Sequence, residues 1–75
     1  MSKPTRITNS IRALRFARGE MTQAELAQRI GVTRQTVIAI EQSRYSPSLE
    51  VAFQIARVLR VPLGEVFQYP EGESR

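Results

Sequence analysis

Met21 to Glu41 of this 75-residue chain read MTQAELAQRIGVTRQTVIAIE, a stretch that holds two helix starts separated by one helix stop. The first start is the run from Thr22 to Glu25. Its threonine hydroxyl is spaced to accept from the Glu25 amide while the Glu25 carboxylate reaches back to the Thr22 N–H, the reciprocal arrangement of a capping box. Met21 and Leu26 flank that cap at the spacing of a hydrophobic staple. The helix so begun runs to Ile30 and meets Gly31, a residue that enters the left-handed conformation cheaply and so ends helices. Only Val32 stands between that stop and Thr33, a second cap, and Val32 with Val37 repeats the staple around it. Two helices joined by so tight a turn must cross steeply rather than lie antiparallel. Ala27 and Gly31 are expected to be small because the crossing brings the helices close. On the second helix the inward face is Val37, Ile40 and Glu41, which leaves Arg34, Gln35, Ile38 and Ala39 facing outward.

Proline and glycine punctuation at Pro4, Gly19, Gly31, Pro47, Pro62, Gly64, Pro70 and Gly72 divides the rest of the chain into further helical segments. The expected helices are 9–18, 22–30, 33–42, 47–59 and 62–67, all within one domain over 1–69. Residues 70–75 are expected to form a disordered tail. The first helix carries Ile11, Leu14 and Ala17 on one stripe and can be capped by Thr8, Asn9 or Ser10. The fourth is capped either by Ser46, with Pro47 in its first turn, or by Ser48. Its stripe of Leu49, Ala52, Ile55, Ala56 and Leu59, widened by Val51, Phe53 and Val58, predicts burial over much of its circumference. Phe67 to Tyr69 reads as a short extended segment, and the β-prone Thr5 to Ile7 is the candidate to pair with it. The fold class is therefore all-α, a five-helix bundle with a possible two-stranded antiparallel addition.

Composition narrows the functions available. The chain contains neither cysteine nor histidine, which excludes disulfides and leaves carboxylates alone for any zinc site, so no metal and no cofactor is expected. Residues 1–60 hold ten basic side chains against four glutamates, +6, whereas 61–75 hold three glutamates against one arginine, −2. A basic body with an acidic end suits a polyanionic partner, because neutralising phosphates releases counterions. No apolar run approaches the roughly 18 residues of a membrane span, and no apolar export segment follows the start, so the expectation is a cytoplasmic protein without a membrane partner. No pair of acids, nucleophile or metal cluster accompanies Glu41, so it is not a catalytic candidate and the chain is not expected to be an enzyme.

The paired helices, with Thr22-Gln23, Leu26-Ala27, Gly31 to Thr33, Ile40-Glu41 and the following Tyr45 to Leu49, resemble the Cro and phage-repressor (XRE) helix-turn-helix family over residues 10–69. The run from Tyr45 to Leu49 together with Val66 to Tyr69 is similar to a subgroup of very short bacterial and archaeal repressors that includes the cytolysin repressor. The resemblance implies a double-stranded DNA partner and a regulator, more often a repressor, that reads an inverted-repeat operator as a homodimer. It places Arg34, Gln35, Ile38 and Ala39 at base-reading positions. Arg34 can donate twice to guanine or contact phosphate instead, Gln35 can pair with adenine, and Ile38 can meet a thymine methyl or tuck into the protein. Arg18, Thr22, Gln23, Thr33, Thr36, Arg44 and Tyr45 take phosphate-contacting positions, with Thr22 and Thr33 also capping their helices and with solvated surface as the competing role of Arg18 and Arg44. Arg15 and Glu41 are implied to form a partly buried ion pair. Leu63, Val66, Phe67 and Tyr69 form the expected dimer contact, with closure of the monomer core as the competing role.

Two features stand apart from the resemblance. Gly19 to Met21 is one residue longer than the corresponding turn in many relatives, which leaves its geometry and the placement of Arg18 open. A chain of this length, nearly all absorbed by the reading helix, its supports and its dimer contacts, is also expected to have no small-molecule ligand. Two other classes of function remain: the antitoxin of a toxin–antitoxin pair, and a protein-interaction helical module without a DNA role.

Overall fold

A computed structural model describes residues 5–70. The order of elements is β1 (Thr8–Asn9), α1 (Ile11–Ala17), α2 (Gln23–Ile30), α3 (Arg34–Glu41), α4 (Leu49–Leu59), α5 (Leu63–Val66) and β2 (Phe67–Gln68). β1 and β2 form an antiparallel pair with Thr8 opposite Gln68 and Asn9 opposite Phe67. The fold is thus five helices with a small two-stranded addition, as the sequence predicts. Of the segment 70–75, expected to be a disordered tail, only Pro70 falls among the described residues.

Local chemistry explains most boundaries. Thr22 accepts from the Glu25 amide at 3.0 Å while its own N–H donates to Glu25 Oε1 at 2.9 Å, so both halves of the capping box are made. Thr33 accepts from the Thr36 amide at 3.1 Å. Ser48, not Ser46, caps α4 by accepting from the Val51 amide at 3.2 Å, which starts that helix at Leu49 rather than at residue 47. Ser10 occupies the cap position of α1 without a side-chain bond, and Asn9 supplies it instead, its Oδ1 accepting from Ile11 N at 3.2 Å.

Ile11, Met21, Leu26, Ala27, Ile30, Val37, Ile40, Ile55, Ala56, Leu59 and Val66 form one buried cluster. Met21 and Leu26 are both in it, as are Val37 and, at its edge, Val32, so each staple feeds the core as well as its own cap.

Three expectations need correction. Thr5 to Ile7 does not pair with the C-terminal strand; the pairing begins at Thr8. The backbone groups of the earlier segment are used elsewhere: Thr5 N donates to Ser43 O at 3.2 Å, and the Ser43 hydroxyl donates to Ile7 O at 3.1 Å. Gly31 is not small for close packing, since a Cβ there would meet nothing within 4 Å; its φ of 77° is what requires glycine. Finally, α4 is buried on one face only. Ala52, Ile55, Ala56 and Leu59 are buried, but Leu49 is 72% and Phe53 57% exposed. Phe53 lies roughly 110° around the helix from the centre of the buried stripe at 3.6 residues per turn, too far to reach the core.

Candidate nucleic-acid interface

The turn between α2 and α3 is built from Gly31, Val32 and Thr33. Gly31 in the left-handed region and the Val32 amide, which donates to Ala27 O at 3.0 Å, close the end of α2. Thr33 opens α3 at once, and the two helices pack more extensively against each other than any other pair. α3 buries Val37 and Ile40 and leaves Arg34 and Gln35 exposed on its first turn. Ile38 and Ala39 are half-buried, flanking that exposed pair.

A buried ionic network holds α3 in place. Arg15, only 6% exposed, donates through Nε to Glu41 Oε2 at 2.7 Å and through Nη2 to Glu41 Oε1 at 3.2 Å. Its Nη1 donates to the Met21 carbonyl at 2.7 Å. Gln23 Nε2 donates to the same Glu41 Oε1 at 3.1 Å. One carboxylate therefore ties α1, the first residue of α2 and the last residue of α3 together. Charged groups taken from water need this kind of complete hydrogen bonding to be tolerated. From the other side, Asn9 Nδ2 donates to the carbonyls of Ile40 and Glu41 at 3.0 and 3.3 Å, adding to the Ser43 amide that already bonds the first and reaching the second among the acceptors that the end of a helix leaves open.

The remaining expected site residues are distributed as follows. Thr22, Gln23 and Arg34 line a single open groove bounded by α1, the start of α2 and α3, and Arg12 and Phe16 line it too. Thr33 is exposed and Thr36 half-buried at the start of α3, with their hydroxyls 3.0 Å apart. Arg18 and Arg44 are exposed, whereas Tyr45 is half-buried and packs against the core. The lengthened turn resolves into two consecutive left-handed residues, Gly19 (φ 78°) and Glu20 (φ 59°), after which Met21 N donates to Arg15 O at 2.9 Å.

Of the four residues expected at a dimer contact, Val66 has no exposed surface and belongs to the monomer's core. Leu63 and Phe67 are half-buried against that core, and Tyr69 is 61% exposed. Sequence reasoning missed three features of the region: Asn9 as a clamp on the end of α3, the Gln23 to Glu41 bond, and Phe16 as an exposed aromatic. The first two join residues 31 and 18 positions apart and leave no local signal. Phe16 did carry one, since it lies off the Ile11 and Leu14 side of α1, although Ala17, expected on the same inward stripe, is itself exposed and Arg15 is buried in its stead.

A tight glycine-turned pair of helices, with a polar first turn exposed on the second, defines the class of helix-turn-helix proteins. The helix-turn-helix family model matches residues 11–66, and the chain belongs to this family, of the Cro and phage-repressor type. It is 67% identical over 56 residues to an uncharacterized HTH-type transcriptional regulator of Methanothermobacter thermautotrophicus, covering 73% of this chain and 81% of that protein. It is 37% identical over 59 residues to the cryptic phage CTXphi transcriptional repressor RstR of Vibrio cholerae, covering 79% of this chain and 52% of that one. Among solved structures, that of a candidate DNA-binding protein from Bacteroides fragilis superposes with a TM-score of 0.72 at 22% identity, over 83% of this chain and 98% of the other. This last likeness concerns the fold. The family is not an enzymatic one. Among the described residues no helix is long and apolar enough to cross a membrane.

Proposed function

We propose that this chain is a sequence-specific transcriptional regulator that occupies an inverted-repeat operator as a homodimer and acts as a repressor in the cytoplasm. The observation that carries the reading is the placement of Arg34 and Gln35. Both are exposed on the first turn of a helix whose opposite face is buried and whose far end is fixed by Arg15, Gln23 and Asn9. In a major groove, Arg34 is suited to guanine O6 and N7 and Gln35 to adenine N6 and N7. Ile38 and Ala39 offer half-buried apolar surface beside them. Thr22 and Gln23 at the start of α2, Thr33 and Thr36 at the start of α3, and Arg18, Arg44 and Tyr45 would contact phosphates, setting the register. Likeness to a named phage repressor supports repression, which needs only occupancy of the operator.

The homodimer rests on apolar surface left over from the core. Leu63, Phe67 and Tyr69 remain from the expected contact, and Leu49 and Phe53 on α4 are further exposed apolar side chains. A single module buries only about 600–1,000 Å² on DNA, so two copies on adjacent half-sites supply the rest of the specificity.

Selection of bound duplexes from a random pool gives the half-site, and Gln35→Ala then tests the reading. The expected result is loss of discrimination at one base pair per half-site, about 1–3 kcal/mol, with little change on unrelated duplexes. Equal losses on every sequence would overturn base readout by α3.

A further inference from the structure

We infer that Phe16 and Arg12, on the outward face of α1, form a second DNA-backbone contact in which the Phe16 ring packs on a deoxyribose and Arg12 neutralises the adjoining phosphate. The inference rests on the DNA-binding reading above and extends the interface beyond the paired helices.

Phe16 is 52% exposed, an unusual position for a phenyl ring on a seven-residue helix whose neighbours supply buried Ile11 and Arg15. It is not loose. The Arg12 guanidinium lies 5.6 Å from its centroid and that of Arg15 5.7 Å. Arg15 is bonded to Glu41 and the Met21 carbonyl, so one of the two cations beside the ring is tied to the rest of the fold. The ring consequently has little freedom to lose when a ligand covers it.

The surroundings identify the ligand. Phe16 and Arg12 line the same groove as Thr22, Gln23 and Arg34, the residues at the start of α2 and the start of the reading helix. A polymer that presents an apolar sugar and an anionic phosphate at each step fits a wall on which a phenyl ring and an arginine alternate. Sugar and phosphate contacts carry half or more of protein–DNA hydrogen bonds and fix orientation without reading sequence. Glu20 also lines the groove, and a phosphate next to that carboxylate would be repelled. The strand is therefore expected to run from Arg34 past Gln23 to Arg12 and Phe16, leaving the side occupied by Glu20.

The test measures affinity of the full chain for its selected operator and for an unrelated duplex across a salt series. Phe16→Ala is expected to weaken both duplexes alike, by roughly fivefold for each half-exposed phenyl ring lost and so about 25-fold for the homodimer, and to leave the salt slope unchanged because no charge is lost. Arg12→Gln is expected to weaken both and to reduce the slope of log affinity against log salt by about 0.9 for each copy bound, about 1.8 for the homodimer, because each copy loses one phosphate contact. A purely structural role for Phe16 would lower the melting temperature of the free protein, whereas an exposed ring held for DNA leaves it in place. Wild-type affinity in Phe16→Ala, or an unaltered slope in Arg12→Gln, overturns the inference while leaving the reading helix intact. Failure of the wild-type chain to bind any duplex at low salt overturns the DNA-binding reading and this contact with it.

Discussion

Glu41 receives three side-chain hydrogen bonds from two elements other than its own, and its side chain is only 10% exposed. Removing a partner from such a network costs more than the network contributes, because the remaining charge stays buried without compensation. Glu41→Ala should therefore destabilise the fold by about 3 kcal/mol, since it leaves the Arg15 guanidinium unpaired. Replacing both partners, Arg15→Met with Glu41→Leu, should recover most of that loss, since neither charge then has to be desolvated. Urea denaturation at fixed protein concentration measures both. If the double variant is as unstable as the single one, the charges matter for more than their mutual compensation. At this scale the sequence was partly legible. An acid at the end of an apolar face stood out, and family resemblance pointed to Arg15 as its partner. The roles of Gln23 and Asn9 were hidden, because a side-chain amide that closes a contact across the fold looks the same in sequence as one that faces water.

Helices that begin and end by short-range chemistry were the most legible elements. Thr22 and Thr33 carry their partners within three residues, and Gly31 needs only its own φ. Where two local solutions competed, at Ser46 and Ser48, propensity could not choose between them. Where an element depends on a distant partner, local pattern does not locate it: Thr5 and Ile7 are bonded to Ser43, a contact across the fold, and the strand pairing starts only at Thr8. The same limit applies to α4, whose apolar residues are too many for one face. Periodicity counts Phe53 among them but does not say which side the core occupies. The turn itself gives a clean test. A Cβ at Gly31 would touch nothing within 4 Å, so steric contact adds nothing to the cost of alanine there. Gly31→Ala should therefore cost about 1 kcal/mol, the strain of a left-handed alanine, and lower the melting temperature by roughly 4–8 °C. A much larger loss would mean that the turn between α2 and α3 had rearranged.

At the scale of the whole molecule, 8.5 kDa of chain without disulfides sits near the lower limit at which one hydrophobic core suffices. The core cluster draws on every helix, yet Leu49, Phe53 and Tyr69 remain largely exposed. If these side chains meet their counterparts in a second copy, dimerisation contributes to stability, and unfolding becomes a reaction of one dimer to two chains. Mass action then fixes the sign: more protein favours the dimer, so the melting temperature must rise with concentration. Each tenfold increase adds about 1.4 kcal/mol per dimer, which for 150 residues unfolding together corresponds to roughly 3–5 °C. Phe53→Asp should remove that dependence and halve the mass seen in sedimentation, while the monomer fold survives because Phe53 is outside the core. It should also weaken operator binding far more than binding to an isolated half-site. That second comparison separates the proposed dimer contact from the proposed base readout, since a substitution on α4 leaves Arg34 and Gln35 untouched. A wild-type melting temperature that stays constant across a tenfold concentration range would show that the exposed apolar face of α4 does not join two copies.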